Sequence, residues 1–309
     1  MRSGGKAGPA GKTHADYPVY AATGGREALF YDKTGGGTTV CALCPRHCAL
    51  APGATGACLA RRNDGGVLYS LNYGAISSLA LDPIEKKPLS RFHPGAMILS
   101  AGSFGCNLIC PFCQNHGISR GAPATRYMPP EELVSEALSA RSAGNVGIAY
   151  TYNEPLVSYE YVIDTAELAR SRGLYNVLVT NGYIEQAPLL RLLPYVDAMN
   201  IDLKGDESFY KDLCGGDMQT VLNTIKAAFA AGCHIEVTTL LVSGRNDNAG
   251  AVTEAALRVA SVSDAIPLHL SRFFPRYKMI DLPPTDAGFV REAASIARKY
   301  LKYVYAGNV

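Results

Sequence analysis

From Met97 onward, apolar and β-branched residues gather in short runs: "MILSAG", "VGIAYTY", "YNVLVTN", "DAMNIDLK", "HIEVTTLLV" and "IPLHLS". Runs of this length, bounded by turn residues, predict six strands. The stretches between them carry a helical pattern. "PPEELVSEALSARSAG" opens on proline and first-turn glutamates and closes on glycine, as helix ends require, and "EPLVSYEYVIDTAELARSRG" closes the same way. "TVLNTIKAAFAAG" and "AGAVTEAALRVASV" continue the alternation. Strands alternating with helices predict a parallel sheet. The expected fold is α/β, a partial (β/α)6 TIM-like barrel over residues 96–275, followed over 276–309 by a helix in "TDAGFVREAASIARKYL" and a final strand in "KYVYAGNV".

Ahead of the barrel the pattern fades. Residues 1–38 are rich in Gly, Thr and Ala and close on "KTGGGTT", which predicts a flexible N-terminal arm. Residues 39–95 carry four cysteines, several Gly and Pro, and short apolar pieces such as "VLYSLNYGAI". That composition predicts a small cysteine-rich module, too thin to hold a core alone and folded over something larger.

The chain has 309 residues, 48% of them apolar, enough for a sizeable core. Its 29 basic and 27 acidic residues leave a net charge of +2, far from the concentrated positive field of a dedicated nucleic-acid binder. No apolar run approaches the ~18 residues of a membrane span. The opening "MRSGGKAGPAGKTH" lacks the apolar centre of a secretory signal. A cytoplasmic, reducing setting is therefore expected, in which nine cysteines point to metal binding sooner than to disulfides.

In a (β/α) barrel, function collects at the carboxyl ends of the strands. The polar stretches obey that rule: "TYNEP", "TNG", "DLK", "SGRND" and "HLSRF" each follow a predicted strand. The first strand leads into "GSFGCNLICPFCQN", with Cys106, Cys110 and Cys113 inside one short loop. A structural zinc wants four ligands, and only His116 is near enough to complete such a set. A four-iron, four-sulfur (4Fe-4S) cluster also takes four thiolates when it only transfers electrons. Held by three, it keeps one iron open to a substrate.

Cys-x3-Cys-x-aromatic-Cys after a first barrel strand resembles the cluster loop of the radical S-adenosylmethionine (radical SAM) superfamily. The resemblance implies a 4Fe-4S cluster on Cys106, Cys110 and Cys113 whose open iron chelates the amine and carboxylate of S-adenosylmethionine. It implies reductive cleavage of the sulfonium to a 5'-deoxyadenosyl radical. Direct ligation of this kind would settle orientation before the electron moves.

The same resemblance implies further cofactor contacts. Tyr152, Asn153 and Glu154 stand where the family usually has Gly-Gly-Glu, and Glu154 keeps an acceptor for the ammonium; an ordinary turn is the alternative. Bulky residues in place of the two glycines predict a different local backbone path. Thr180 and Asn181 resemble the ribose-binding stretch of activating enzymes, against a plain Asn-Gly turn. Asp202 and Lys204 alternate along a strand end and so share a face. Lys204 would meet the methionine carboxylate, with Asp202 fixing that end directly or through a cation; a solvent salt bridge is the alternative. His269 is expected near the adenosine, Phe112 to offer backbone to the adenine, and Leu241 and Val242 to wall the adenine slot.

"CALCPRHCALAPGATGAC" supplies Cys41, Cys44, Cys48 and Cys58, a complete set for either zinc or a second iron-sulfur cluster. Cys214 and Cys233 stand apart and read as buried apolar residues.

The longer pattern "LDPIEKKPLSRFHPG", "GSFGCNLICPFCQN", "TYNEP", "NIDLKG" and "HLSRFFPRYKM" is similar to the AmmeMemoRadiSam branch, related to the pyruvate formate-lyase activating enzymes. That branch implies Memo-like and AMMECR-like protein partners and a low-potential ferredoxin or flavodoxin as electron donor. The leading expectation is hydrogen abstraction from a protein or small-molecule substrate. The alternatives are activation of a glycyl-radical enzyme and a non-enzymatic metal-binding scaffold.

Overall fold

The computed structural model describes residues 25–309. Its centre is one eight-stranded sheet whose spatial order follows chain order: β1 (Ser78–Pro83), β2 (Met97–Gly102), β3 (Asn145–Tyr150), β4 (Tyr175–Thr180), β5 (Ala198–Asp202), β6 (His234–Leu241), β7 (Leu268–Arg272) and β8 (Val304–Gly307). β1 runs antiparallel to β2, and every later neighbour pairs in parallel. Six helices link the parallel strands: α1 (Pro130–Ser139), α2 (Tyr159–Ser171), α3 (Gln186–Leu192), α4 (Met218–Ala230), α5 (Ala249–Ala260) and α6 (Ala287–Ala297). The fold is thus α/β with a mostly parallel central sheet.

Local chemistry sets the helix starts. Pro130 occupies the first turn of α1, with Glu131 and Glu132 beside it, where a missing N–H and negative charge are both tolerated. Asp217, Asn248 and Asp286 each accept a hydrogen bond from a first-turn amide of α4, α5 and α6, at 2.7, 3.0 and 2.7 Å. α3 is absent from the pattern of predicted helices because it is short and contains Pro188, which sits in its first turn and breaks no internal bond.

Two boundaries differ from the sequence reading. β1 belongs to the central sheet, not to the 39–95 module, so the sheet has eight strands where six plus a final strand were expected. As an edge strand it is half exposed, which blurs its apolar signature. Strands Arg26–Glu27 and Tyr31–Lys33, inside the expected arm, join two small three-stranded sheets with strands from residues 39–70. Residues 1–24 of the expected arm lie outside the described residues.

One face of the central sheet packs against the helices and forms the main core. The other carries a separate, smaller cluster in which Ile84 and Leu89 cover Ile98, Ala149, Val177 and Ala198. The segment joining β1 to β2 therefore folds across this inner face. It is fastened there by Ser90 and Arg91 amides donating to Glu236 (3.0 and 2.7 Å) and by the Asn200 amide donating to the Pro88 carbonyl (2.8 Å). Among the described residues no helix is long and apolar enough to cross a membrane.

Candidate active site

A cavity of about 290 Å3 opens where the inner face meets the carboxyl ends of the strands. Its walls take Thr151 after β3, Thr180 from β4, Asp202 from β5, Thr238 and Leu240 from β6, and Ser271 from β7. This is the rim at which parallel α/β sheets place their ligands.

The loop after β2 brings Cys106, Cys110, Phe112 and Cys113 into the same cavity. Arg46 of the module fastens that loop, its guanidinium donating to the carbonyls of Asn107 and Gly215 at 2.5 and 2.6 Å. The Ile109 amide donates to the Cys214 carbonyl at 2.9 Å. Phe112 is buried against Phe209, with ring centroids 5.7 Å apart.

The three thiols are free of disulfides. Burial pushes Cys106 and Cys113 above the ordinary thiol range, and hydrogen bonding with Cys214 together with burial pushes Cys110 well above it. Buried thiols give up their protons when a metal takes the sulfur. Among the described residues, no three His, Cys, Asp or Glu side chains converge closely enough to share a single metal ion. The sulfurs instead stand around a cavity wall. Three thiols lining one cavity, with Asp202 and Lys204 among its other walls, are a donor set that fits an iron-sulfur cluster, in which each thiolate takes a different iron.

Glu154 is 3% exposed, and its carboxylate is already engaged. Oε1 accepts from Thr180 Oγ1 at 2.6 Å and the Leu156 amide at 3.0 Å, and Oε2 accepts from the Asn181 amide at 2.7 Å. Burial raises its pKa to about 7 against the opposing effect of these donors. Thr180 and Asn181 thus hold Glu154 in place at the cavity wall. The Asn181 side chain also donates to Asn107 Oδ1 (2.9 Å) and to Cys106 Sγ (3.6 Å), linking the β4 end to the cysteine loop.

Asn153 lines the cavity but spends its amide on the backbone, accepting from the Ser103 N–H at 2.8 Å and donating to the Gly105 carbonyl at 3.2 Å. Tyr152 adopts φ +72°, the left-handed conformation that glycine favours. Its ring is held by a 2.8 Å bond from the hydroxyl to Asp82 and by Lys87 4.7 Å from the ring centroid.

Lys204 pairs with Asp202 at 2.6 Å, and both line the cavity. Burial alone would lower the Lys204 pKa, but Asp202 and Cys110 hold it well above the ordinary value. The wall near Cys110 thus carries a paired ammonium and carboxylate.

Three expected residues lie elsewhere. Alternation along β6 turns Thr238 and Leu240 to the cavity and Thr239 and Leu241 to a second cavity on the other side of the strand. Leu241 is thus out of the slot, and Val242 is buried in neither cavity. His269 shares the inner face, paired in register with Thr238, but lies two residues deeper than Ser271 and does not reach the cavity. Its Nε2 is 2.6 Å from Glu236 Oε2, and its ring stacks on Tyr305. Leu240, Ser271, Asn308 and Asn107 were absent from the sequence reading. Strand alternation, phased on Asp202 through its register with Thr238, identifies Leu240.

Residues 102–257 match the Radical SAM superfamily. An uncharacterized protein of Methanocaldococcus jannaschii is 46% identical over 292 residues, spanning 92% of this chain and 85% of its own length. A pyruvate formate-lyase-activating enzyme of Clostridium pasteurianum is 26% identical, spanning 64% of this chain and 87% of its own. Among solved structures, a radical SAM methyltransferase from Sphaerobacter thermophilus has a similar fold, with TM-score 0.55, 17% identity, and coverage of 70% of this chain and 67% of that one. Streptococcus suis SuiB bound to S-adenosylmethionine gives TM-score 0.52 at 14% identity, covering 66% and 48%. Cysteine loop, cavity-lining lysine and parallel sheet thus occur together in a sequence whose central half matches one family and 92% of whose length aligns with a 46% identical relative. The chain belongs to the radical SAM superfamily of enzymes.

Proposed function

We propose that Cys106, Cys110 and Cys113 hold a 4Fe-4S cluster and that the adjoining cavity binds S-adenosylmethionine, on the inner face of what we read as a partial (β/α)6 barrel. The observation that carries this is that the three thiols share one cavity with Glu154 and the Asp202–Lys204 pair. When bound, the cluster and S-adenosylmethionine would supply reductive carbon–sulfur cleavage and radical hydrogen abstraction from a protein or small-molecule substrate.

The chain's own residues orient the donor. Lys204, held by Asp202, offers a charge-assisted partner to a carboxylate, and Glu154 offers the free lone pairs of a fixed, buried carboxyl group to an ammonium. Thr180 and Asn181 keep Glu154 in position, and Asn181 places an N–H against Cys106. Phe112 and Leu240 supply apolar wall on two sides of the cavity, excluding water from a reactive intermediate.

The test is anaerobic reconstitution, a cluster spectrum, and addition of reductant with S-adenosylmethionine to wild type and Cys110→Ala. Deoxyadenosine and methionine are expected from the first and almost none from the second. Equal yields refute the reading.

A second reading, activation of a glycyl-radical enzyme, is favoured by the Clostridium pasteurianum relative. It predicts a glycyl-radical spectrum in a partner protein. We assign the chain to the AmmeMemoRadiSam branch on its longer motif pattern, with Memo-like and AMMECR-like partners, a ferredoxin or flavodoxin donor and a cytoplasmic setting.

A further inference from the structure

The cysteines of the module, Cys41, Cys44, Cys48 and Cys58, line a separate cavity of about 20 Å3. Those of the core loop meet hydrogen-bonding groups brought in by different elements. Cys106 Sγ accepts from the Leu108 amide at 3.4 Å and from Asn181 Nδ2 at 3.6 Å. Cys113 Sγ lies 3.9 Å from the hydroxyl of Ser119, a side chain buried at the cavity wall. Leu108 belongs to the cysteine loop itself, whereas Asn181 reaches it from the end of β4.

Asn181 is buried, and its amide is held against turning over. Gly182, at φ +68°, bends the chain so that the Tyr183 N–H returns to Asn181 Oδ1 at 2.8 Å. On the opposite side Nδ2 donates to Asn107 Oδ1 at 2.9 Å, and the Asn107 amide is itself fixed by donating to the Tyr183 carbonyl at 2.6 Å. A reversed Asn181 amide would set its oxygen against the Asn107 oxygen and its nitrogen against the Tyr183 N–H, so the network decides the orientation. The amide nitrogen carries two hydrogens. One goes to Asn107, and the second is left for Cys106.

A thiol is a weak acceptor, so a buried N–H fixed against it gains little. Against a thiolate the same bond is charge-assisted and roughly twice as strong as a neutral one. The arrangement therefore suits a sulfur that carries negative charge, as a metal-ligating cysteine does. Reduction of an iron-sulfur cluster adds a further negative charge, which hydrogen bonds to the sulfurs stabilise.

We propose that Asn181 raises the reduction potential of the core-loop cluster by donating to the Cys106 thiolate, and that Ser119 does the same in smaller measure at Cys113. The inference rests on the reading above that Cys106, Cys110 and Cys113 hold that cluster. It gives the Asn181 side chain a task separate from a ribose contact. Asn181 and Ser119 act through the sulfurs and are positioning residues, and the main-chain N–H of Asn181, which serves Glu154, plays no part in it.

The anaerobically reconstituted full chain is titrated with dithionite in the presence of redox mediators, without S-adenosylmethionine, and the reduced cluster is followed by electron paramagnetic resonance. Asn181→Leu deletes the amide and leaves the main-chain N–H on Glu154. Its one-electron reduction constant is expected to be about tenfold below that of wild type, a midpoint lower by about 59 mV. Ser119→Ala, in which the longer contact is lost, is expected to fall about threefold. A wild-type midpoint in Asn181→Leu overturns the role of Asn181, and a wild-type midpoint in Ser119→Ala overturns that of Ser119. Weaker S-adenosylmethionine binding by Asn181→Leu at an unchanged midpoint leaves a ribose contact alone and likewise overturns the proposal. If Asn181→Leu takes up no iron, Asn181→Asp decides: it keeps the shape and the bond from Tyr183, puts oxygen where the N–H stood, and is expected to lower the midpoint by at least as much. Failure of the core reading appears separately, as wild type without a reducible iron-sulfur signal or as undiminished S-adenosylmethionine cleavage by Cys110→Ala.

Discussion

Arg61 of the cysteine-rich module and Glu160 of α2 form an ion pair at 2.5 Å with each side chain 1% exposed. The same carboxylate accepts from the Leu29 amide at 2.7 Å, and the same guanidinium donates to the Leu29 carbonyl at 2.8 Å. The strand carrying Arg61 is thus tied to α2 through buried charge. Glu160 Oε2 and Arg61 Nε have no hydrogen-bond partner, so the pair is incompletely satisfied.

Removing one partner strands the other. Arg61→Met is expected to cost about 3–5 kcal/mol in urea unfolding. Replacing both, as Arg61→Met with Glu160→Leu, is expected to recover most of that loss. A double variant no more stable than the single one refutes this account of the docking.

Glu236 sets an acid limit. Burial alone would raise its pKa, but His234, His269 and the Arg91 and Ser90 amides bring it from 4.5 down to about 2. A carboxylate depressed in the fold contributes stability that is full above its unfolded pKa and is lost as pH falls through the folded one. The loss is expected between about pH 4.5 and 2, with a total of about 3 kcal/mol. Glu236→Gln should flatten the unfolding free energy over that window relative to wild type. Parallel curves for the two proteins would contradict it.

Tyr152 separates backbone from side chain. Tyr152→Ala and Tyr152→Gly both lose the bond to Asp82, so their difference reads only the φ of +72°. The glycine variant is expected to be about 1 kcal/mol more stable in thermal melts. Tyr152→Phe removes one of the donors that, with Lys87, hold Asp82 at about 2, so the Asp82 pKa should rise in a carbon-detected NMR titration. No movement would place its control entirely with the lysines.

Lys204→Met tests the orienting charge. Loss of a charge-assisted contact is expected to weaken S-adenosylmethionine binding by about tenfold in calorimetry, about 1.4 kcal/mol. An unchanged Kd removes Lys204 from the binding wall.

The parallel strands were legible because each is a short apolar run between turns, and their order follows from the alternation with helices. β1 was not, since an edge strand with alternate residues in water resembles a loop-rich segment. In the site, residues at strand ends were found by position alone, while their phase needed the pairing register. Leu240 and Leu241 are adjacent and equally apolar, and only the pairing of Asp202 with Thr238 says which one faces inward. His269 had the right face at the wrong depth. The grip of Thr180 and Asn181 on Glu154 arises between two strands and leaves no mark in the spacing.

The segment from Ile84 to Ala96 lies across the inner face and is pinned to Glu236 and Asn200 well below the cavity. With that stretch of the sheet already occupied, the part of the inner face left for a bound molecule is the rim formed by Thr151, Thr180, Asp202, Thr238 and Ser271.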